Sequence, residues 1–260
     1  MSESRVPAVF IGHGSPMNAV EDNRYTTAWS ELAGSLPRPR AIVCVSAHWF
    51  INASAVTAMS APRTIHDFFG FPQALSDMRY PAPGSPELAQ QVVDTAAPIW
   101  IGLDLDSWGL DHGAWSVLAR MYPQADIPVV QLSIDASKPQ RHHFDIGARL
   151  DALRADGVLV VCSGNIVHNL PMIAPALGET AFDWAQRFDD RVREIMTSGP
   201  AEDLLELPDD PDYDLAVPTP DHYLPLLYLA GIASAAGSKA NTVVDGYAFG
   251  SLSMTSYIVS

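Results

Sequence analysis

The chain has 260 residues, 48% hydrophobic and 17% charged, and 15 Lys and Arg against 30 Asp and Glu give a formal net charge of −15. Such a length suits one large α/β domain, residues 1–260, with a proper buried core. The acidity excludes binding to phosphate backbones or anionic membranes, and no apolar run approaches the ~20 residues that a bilayer span needs.

The first run, VPAVFIGHGSPMNAVEDN (Val6 to Asn23), reads as a short core strand stopped by Gly12, Gly14 and Pro16, which presents His13 on a tight turn. The preceding MSESRVPAVF lacks the charged-then-apolar layout of a signal peptide, so a cytoplasmic location is expected. AIVCVSAHW (Ala41 to Trp49) is a second strand ending in His48, and ASAVTAM (Ala53 to Met59) is expected beside it. A Pro/aromatic loop, PRTIHDFFGFPQ (Pro62 to Gln73), and YPAPGSP come next. Ser85 as N-cap with Pro86 at the first helical position then starts a helix to about Ala97.

IPVVQLSI (Ile127 to Ile134) and GVLVVCSG (Gly157 to Gly164) are continuous apolar runs, each preceded by helical patterning. That pattern belongs to parallel strands covered on both faces, so a mostly parallel or mixed central sheet flanked by helices is expected. Phe182 to Met196 carries one apolar stripe at helical spacing, and a further helix runs from about Asp221 to Ala236. NTVVDGYAF and LSMTSYIV are expected as closing strands. Cys44 and Cys162 each sit mid-strand, as free buried thiols.

Ligands in open α/β sheets bind outside the carboxyl ends of the strands. His13, His48 and His168, the last in SGNIVHNL, occupy such ends, and His222 in TPDHYLPLLY opens the following helix. Imidazole is the commonest metal ligand, so the four together point to a metal site. His112, between Asp111 and Gly113 in LDHGAW, is placed for proton transfer, with Gly113 admitting a ligand. His66 is either a lid contact or a solvated loop residue, and His142 and His143 read as surface residues. Trp49, Trp108 and Tyr223 are expected to wall a pocket for a flat aromatic substrate.

IGHGSPMNA, VSAHW, TIHDFFGFP, LDHGAW, SGNIVHNL and TPDHYLPLLY, spread from Pro7 to Tyr257, resemble the class III extradiol ring-cleavage dioxygenases, in the branch acting on 4,5-dihydroxyphenylalanine (DOPA). The resemblance implies one divalent metal per chain held by His13, His48, His168 and His222, with Fe(II) for activity and Zn(II) in structures. It implies His112 and His168 as acid/base groups, and leaves open whether His168 is a ligand or that acid/base. The implied partners are a catechol and dioxygen, with neither nucleic acid nor membrane, in a monomer or small homo-oligomer. Relatives such as protocatechuate 4,5-dioxygenase use two histidines and a glutamate, whereas here His222 stands where the carboxylate is expected, with Asp221 adjacent.

Two rival readings remain. A zinc hydrolase needs a carboxylate base, and no HExxH-type pairing is present. A non-enzymatic binding protein on the same fold has no need of the ligand histidines, all of which this chain keeps.

Overall fold

Apolar strands alternating with amphipathic segments require layers, and the computed structural model, which describes residues 5–260, is built of them. The fully buried β1 (Ala8–Gly12) leads through a turn to α1 (Arg24–Ser35). Asn23 caps α1 by accepting from the Tyr25 and Thr26 amides, and Thr26 Oγ1 accepts from Asn23 N in return. Then come β2 (Ala41–Ile51), β3 (Ala55–Thr57), the short α2 (Gln73–Asp77) and α3 (Pro86–Ala96). Ser85 Oγ accepts from Leu88 N at 3.1 Å, which makes it the expected cap of α3.

β4 (Gly102–Asp104), α4 (His112–Met121), β5 (Val129–Asp135), α5 (Gln140–Leu150) and β6 (Val158–Gly164) continue the alternation. The C-terminal part holds α6 (Asp183–Thr197), α7 (Tyr213–Ala216), α8 (Leu224–Ala236), β7 (Asn241–Val244), β8 (Tyr247–Ala248), β9 (Leu252–Ser253) and β10 (Ser256–Val259).

The main sheet has the order β4-β3-β5-β2-β6-β1-β10-β7. Its centre, β5-β2-β6-β1, is parallel, while β3 joins β5 and β10 joins β1 in antiparallel fashion. The expected mixed sheet is therefore present, with three local corrections. Ala53 to Met59 does not lie beside β2; β3 sits outside β5, because a three-residue strand cannot satisfy the long ladder of β2 and the seven-residue β5 can. β2 does not end at His48 but runs to Ile51, with its register broken between Val45 and Phe50, so His48 projects from an irregularity within the strand. The run NTVVDGYAF splits at Gly246, whose φ of +124° only glycine adopts readily, and β8 pairs with β9 in a separate two-stranded sheet.

α1 and α4 cover one face, where Trp29 and Trp115 pack over Val9, Ile11, Ile42 and Cys44. α3, α5, α6 and α8 cover the other, with Phe144 and Phe188 in the same core as Phe10, Val43 and Cys162. Period-two alternation thus sends the two cysteines to opposite faces, and both are free and buried. α5 and α8 cross closely through glycines: a Cβ on Gly147 would meet the Tyr228 carbonyl, and one on Gly231 the Phe144 carbonyl.

His143, read as a surface residue, is wholly buried in this crossing, its Nδ1 3.0 Å from Tyr228 Oη. Adjacent helical positions face different ways, so only His142 reaches the exterior, where it touches Ser54 Oγ. The expected helix from Asp221 is split: a 3₁₀ turn, Pro220–His222, precedes α8. No helix among the described residues is long and apolar enough to cross a membrane.

Candidate metal centre

Each histidine is brought in by a different local device. Gly14 takes a φ of +59°, and a Cβ on Gly12 would strike the Met254 backbone, so the turn that carries His13 needs both glycines. The β2 irregularity delivers His48, and the first residue of α4 is His112, with Asp111 as the N-cap. The His222 carbonyl accepts from Asn165 N at 2.8 Å and packs against Gly164, where a Cβ would collide with it. His168 follows β6 and is held by a bridge to Leu252 and by the bond from its backbone N to Ala216 O.

These five imidazoles converge. His13 Nε2 and His48 Nε2 are 3.3 Å apart, and the ligand nitrogens of His13, His48 and His112 all lie within 4.8 Å of one another. The His222 ring centroid is 4.9 Å from that of His48 and 5.3 Å from that of His13, and His168 stacks on His222 at 3.5 Å. The trio with the tightest nitrogens therefore contains His112, which was expected near the substrate and apart from the ligand-bearing strand ends. Gly113 serves this approach: a Cβ there would meet Ser46 Oγ and His48 Cδ2, so it makes room for His48 and not for a ligand.

Hydrogen bonds fix the direction of the lone pairs. Ser163 Oγ donates to Gly113 O at 2.6 Å, so it accepts from His13 Nδ1–H at 2.9 Å and leaves His13 Nε2 bare. His48 Nδ1 faces the Asp67 carboxylate at 3.2 Å, and His222 Nδ1 donates to the Asp221 carboxylate. His222 Nε2 is buried without any partner. Two Nε2 atoms that face each other with lone pairs repel unless a proton or a cation lies between them.

Asp67, on the Pro/aromatic loop, ties this group together. Its Oδ1 accepts from His112 N at 3.0 Å and lies 3.0 Å from His112 Nδ1, while Oδ2 contacts His48. Burial opposes its charge, but the two histidines outweigh that and hold its pKa far below the usual carboxylate range. Burial disfavours charge on His48 too, yet Asp67, Asp111 and Asp221 together raise its pKa. His13 and His222 are pushed well below their ordinary value, first by burial and then by the neighbouring imidazoles. Burial lowers His168 to about 4 and lowers His112 as well. Asp111 anchors the whole from below, receiving Ser46 Oγ at 2.6 Å, the Gln131 side-chain amide and the Ala114 amide.

Four of the five imidazoles open on a cavity of about 310 Å³. Polar groups form its floor, and Phe68, Phe71, Leu170, Ile173 and Phe249 form much of its wall. Trp49, Trp108 and Tyr223, the expected walls, are not among the lining residues. Trp49 and Trp108 stack on each other at 5.7 Å, and Tyr223 is 1% exposed with its hydroxyl bonded to Leu204 O. Trp49 follows His48 within β2 and alternation sends it away from the site, where it meets Trp108 from the loop before α4. His66 bonds to Met78 O and packs on Trp115 behind the loop. Sequence reasoning did not single out Asp67 or Phe68, although both lie within the quoted motif TIHDFFGFP.

The donor set fits a divalent transition metal: on His13, His48 and His222 the Nδ1 atoms are held by the Ser163 hydroxyl or by the Asp67 and Asp221 carboxylates, and the Nε2 atoms face one another or are orphaned.

Residues 6–260 match the family described as the catalytic LigB subunit of aromatic ring-opening dioxygenase. A protein of Escherichia coli (strain K12) named 4,5-DOPA dioxygenase extradiol is 53% identical over 260 residues, covering 98% of this chain and 95% of the relative. A Beta vulgaris protein of the same name is 37% identical over 255 residues, covering 95% and 94%. The crystal structure of an uncharacterized Escherichia coli K12 protein superposes with a TM-score of 0.86 at 46% identity, covering 98% of this chain and all of that one. With the fold, the imidazole cluster and a match over nearly its whole length in agreement, the chain belongs to the LigB family of aromatic ring-opening dioxygenases.

Proposed function

We propose that the protein opens the ring of a catechol beside its diol, with DOPA, the compound in its relatives' names, as one candidate. The observation that carries this reading is the facing pair of Nε2 atoms on His13 and His48, completed by the orphaned Nε2 of His222. In this reading His13, His48 and His222 hold one divalent metal, with His112 and His168 beside it. When bound there, Fe(II) supplies the redox link between a catecholate and dioxygen, which zinc, having no redox chemistry, does not.

The chain's own residues position the ring and move protons. Phe68 and Phe71 lie edge-on to each other, and Phe68 stands edge-on to His112, so a flat ring is held between the aromatic wall and the imidazoles. His168, as neutral imidazole, takes a proton from a catechol hydroxyl, and His112 donates to the oxygen on which charge develops. The carbon–carbon bond between one hydroxylated carbon and its unhydroxylated neighbour breaks. Dioxygen takes four electrons, and its two atoms end in the new carboxylate and aldehyde of a muconic semialdehyde, yellow in solution.

Two thiols that stay unpaired support a cytoplasmic setting, and a monomer or small homo-oligomer is the assembly proposed. The test is oxygen uptake with a catechol after iron loading without air, run beside His13→Ala and His48→Ala. The parent should bind one iron per chain and consume oxygen. Both variants should fold, lose the metal and lose uptake; full metal retention in both would refute the ligand set.

A further inference from the structure

We infer that Asp221, acting through His222, supplies the negative charge that balances a metal ion held among these imidazoles. It is a positioning residue, since it reaches the ion only through the ring it holds. The inference rests on the ligand set proposed above and adds what compensates the charge of the ion.

Neutral imidazoles leave a divalent cation with its full charge, and a buried charge is costly unless an opposite charge stands near it. Three carboxylates border the cluster, and their partners differ. Asp111 accepts from Ser46 Oγ, the Gln131 and Ala114 amides and the Trp108 indole, and none of these bonds comes from an imidazole. Asp67 divides its carboxylate between His48 and His112, and accepts from His112 N as well. Asp221 has one hydrogen-bond partner among the described residues, His222 Nδ1.

The three proposed ligands are thereby graded. His13 leans on the neutral Ser163 hydroxyl, His48 on a carboxylate that it shares, and His222 on a carboxylate of its own. A ligating imidazole that donates its other N–H to a carboxylate becomes a more basic ligand. His222 Nε2, buried without a partner, is therefore the most electron-rich of the three.

The chain fixes this pairing locally. Pro220 opens the 3₁₀ turn Pro220–His222, and Tyr223 N donates back to Pro220 O at 3.0 Å. Asn165 N donates to the His222 carbonyl at 2.8 Å, and Asn165 Nδ2 donates to Ser253 O at 2.7 Å, so the turn is anchored to the end of β6. The side chains of Asp221 and His222 are 20% and 7% exposed, so solvent screens their interaction only in part.

A negative charge near an ion favours its higher charge state more than its lower one, which packing alone does not do. Asp221→Asn keeps the size and an acceptor for His222 Nδ1–H, and removes the charge. Its zinc affinity, measured by competition with a chromophoric chelator, should fall about 10–100-fold. On the iron-loaded protein, affinity for the ferric ion should fall about tenfold further than for the ferrous ion. Spectroelectrochemical titration then reads a potential raised by about 59 mV. Asp221→Glu restores the charge on a longer side chain and should lie closer to the parent in both measurements.

An unchanged potential in Asp221→Asn overturns the inference even if zinc binds more weakly, because a loosened ring weakens both oxidation states alike. A Glu variant shifted as far as the Asn variant contradicts it too. Either result leaves ring opening intact where the parent consumes oxygen with a catechol. The expected shifts, with a parent that holds iron yet opens no catechol, support the charge role and overturn the catalytic reading instead. A parent that holds no metal overturns both.

Discussion

Asp67 is the residue on which loop and metal centre meet, since one carboxylate touches His48 and His112 and the next residue, Phe68, faces the cavity. Groups that hold a ligand's second nitrogen typically change metal affinity or activity 10–100-fold when lost. Asp67→Asn keeps an acceptor for His112 N–H and removes the charge. Its expected effect is a fall of about tenfold or more in metal affinity or kcat with the folded spectrum unchanged, measured by metal titration and turnover. Wild-type values for both would remove Asp67 from the account. His13, His48 and His168 were legible because they lie at or near the ends of apolar runs, and His112 and His222 because they stand where helices begin, whereas the role of Asp67 depends on the loop folding back over β2, which no local pattern encodes.

His143 gives a residue-scale test that does not involve the metal. Burial, with a smaller contribution from His142, lowers its pKa to about 4 from an ordinary 6.5. The native state therefore refuses a proton that the unfolded chain accepts, and stability falls as pH drops from 6.5 towards 4. The loss that His143 contributes is about 3 kcal/mol once complete. Urea melts of the parent and His143→Gln across that window should show the parent losing more stability, by roughly that amount. Parallel pH profiles would contradict the assignment.

The elements were the most legible scale. Apolar runs marked β1, β2, β5 and β6, and the Ser85-Pro86 pair marked the start of α3. Sheet order was not legible at the edge, because three residues of β3 carry no signal for which neighbour they join. Nor could composition tell which face of the sheet a tryptophan takes, so Trp49 and Trp108 were expected at a cavity that neither lines. The α5–α8 crossing shows what periodicity leaves out, since glycines set the distance between the helices. Gly147→Ala places a methyl against the Tyr228 carbonyl and should cost about 1–3 kcal/mol, read as a lowered denaturation midpoint. An unchanged midpoint would mean that the helices part without penalty.

At the scale of the whole molecule, a parallel core draws His13, His48 and His168 to one edge, and the starts of α4 and α8 bring His112 and His222 to meet them. The helices on either face protect that core, and the loop with Asp67, Phe68 and Phe71 forms part of the cavity wall over the site. The central claim is that this edge performs a dioxygenase reaction on a catechol. The most direct measurement is single-turnover reaction of the iron-loaded protein with a catechol under ¹⁸O₂, with the aldehyde reduced at once by borohydride to prevent exchange. The account predicts one labelled oxygen in the new carboxylate and one in the trapped alcohol. Product oxygen drawn only from water, or a catechol recovered with its ring closed, would contradict it.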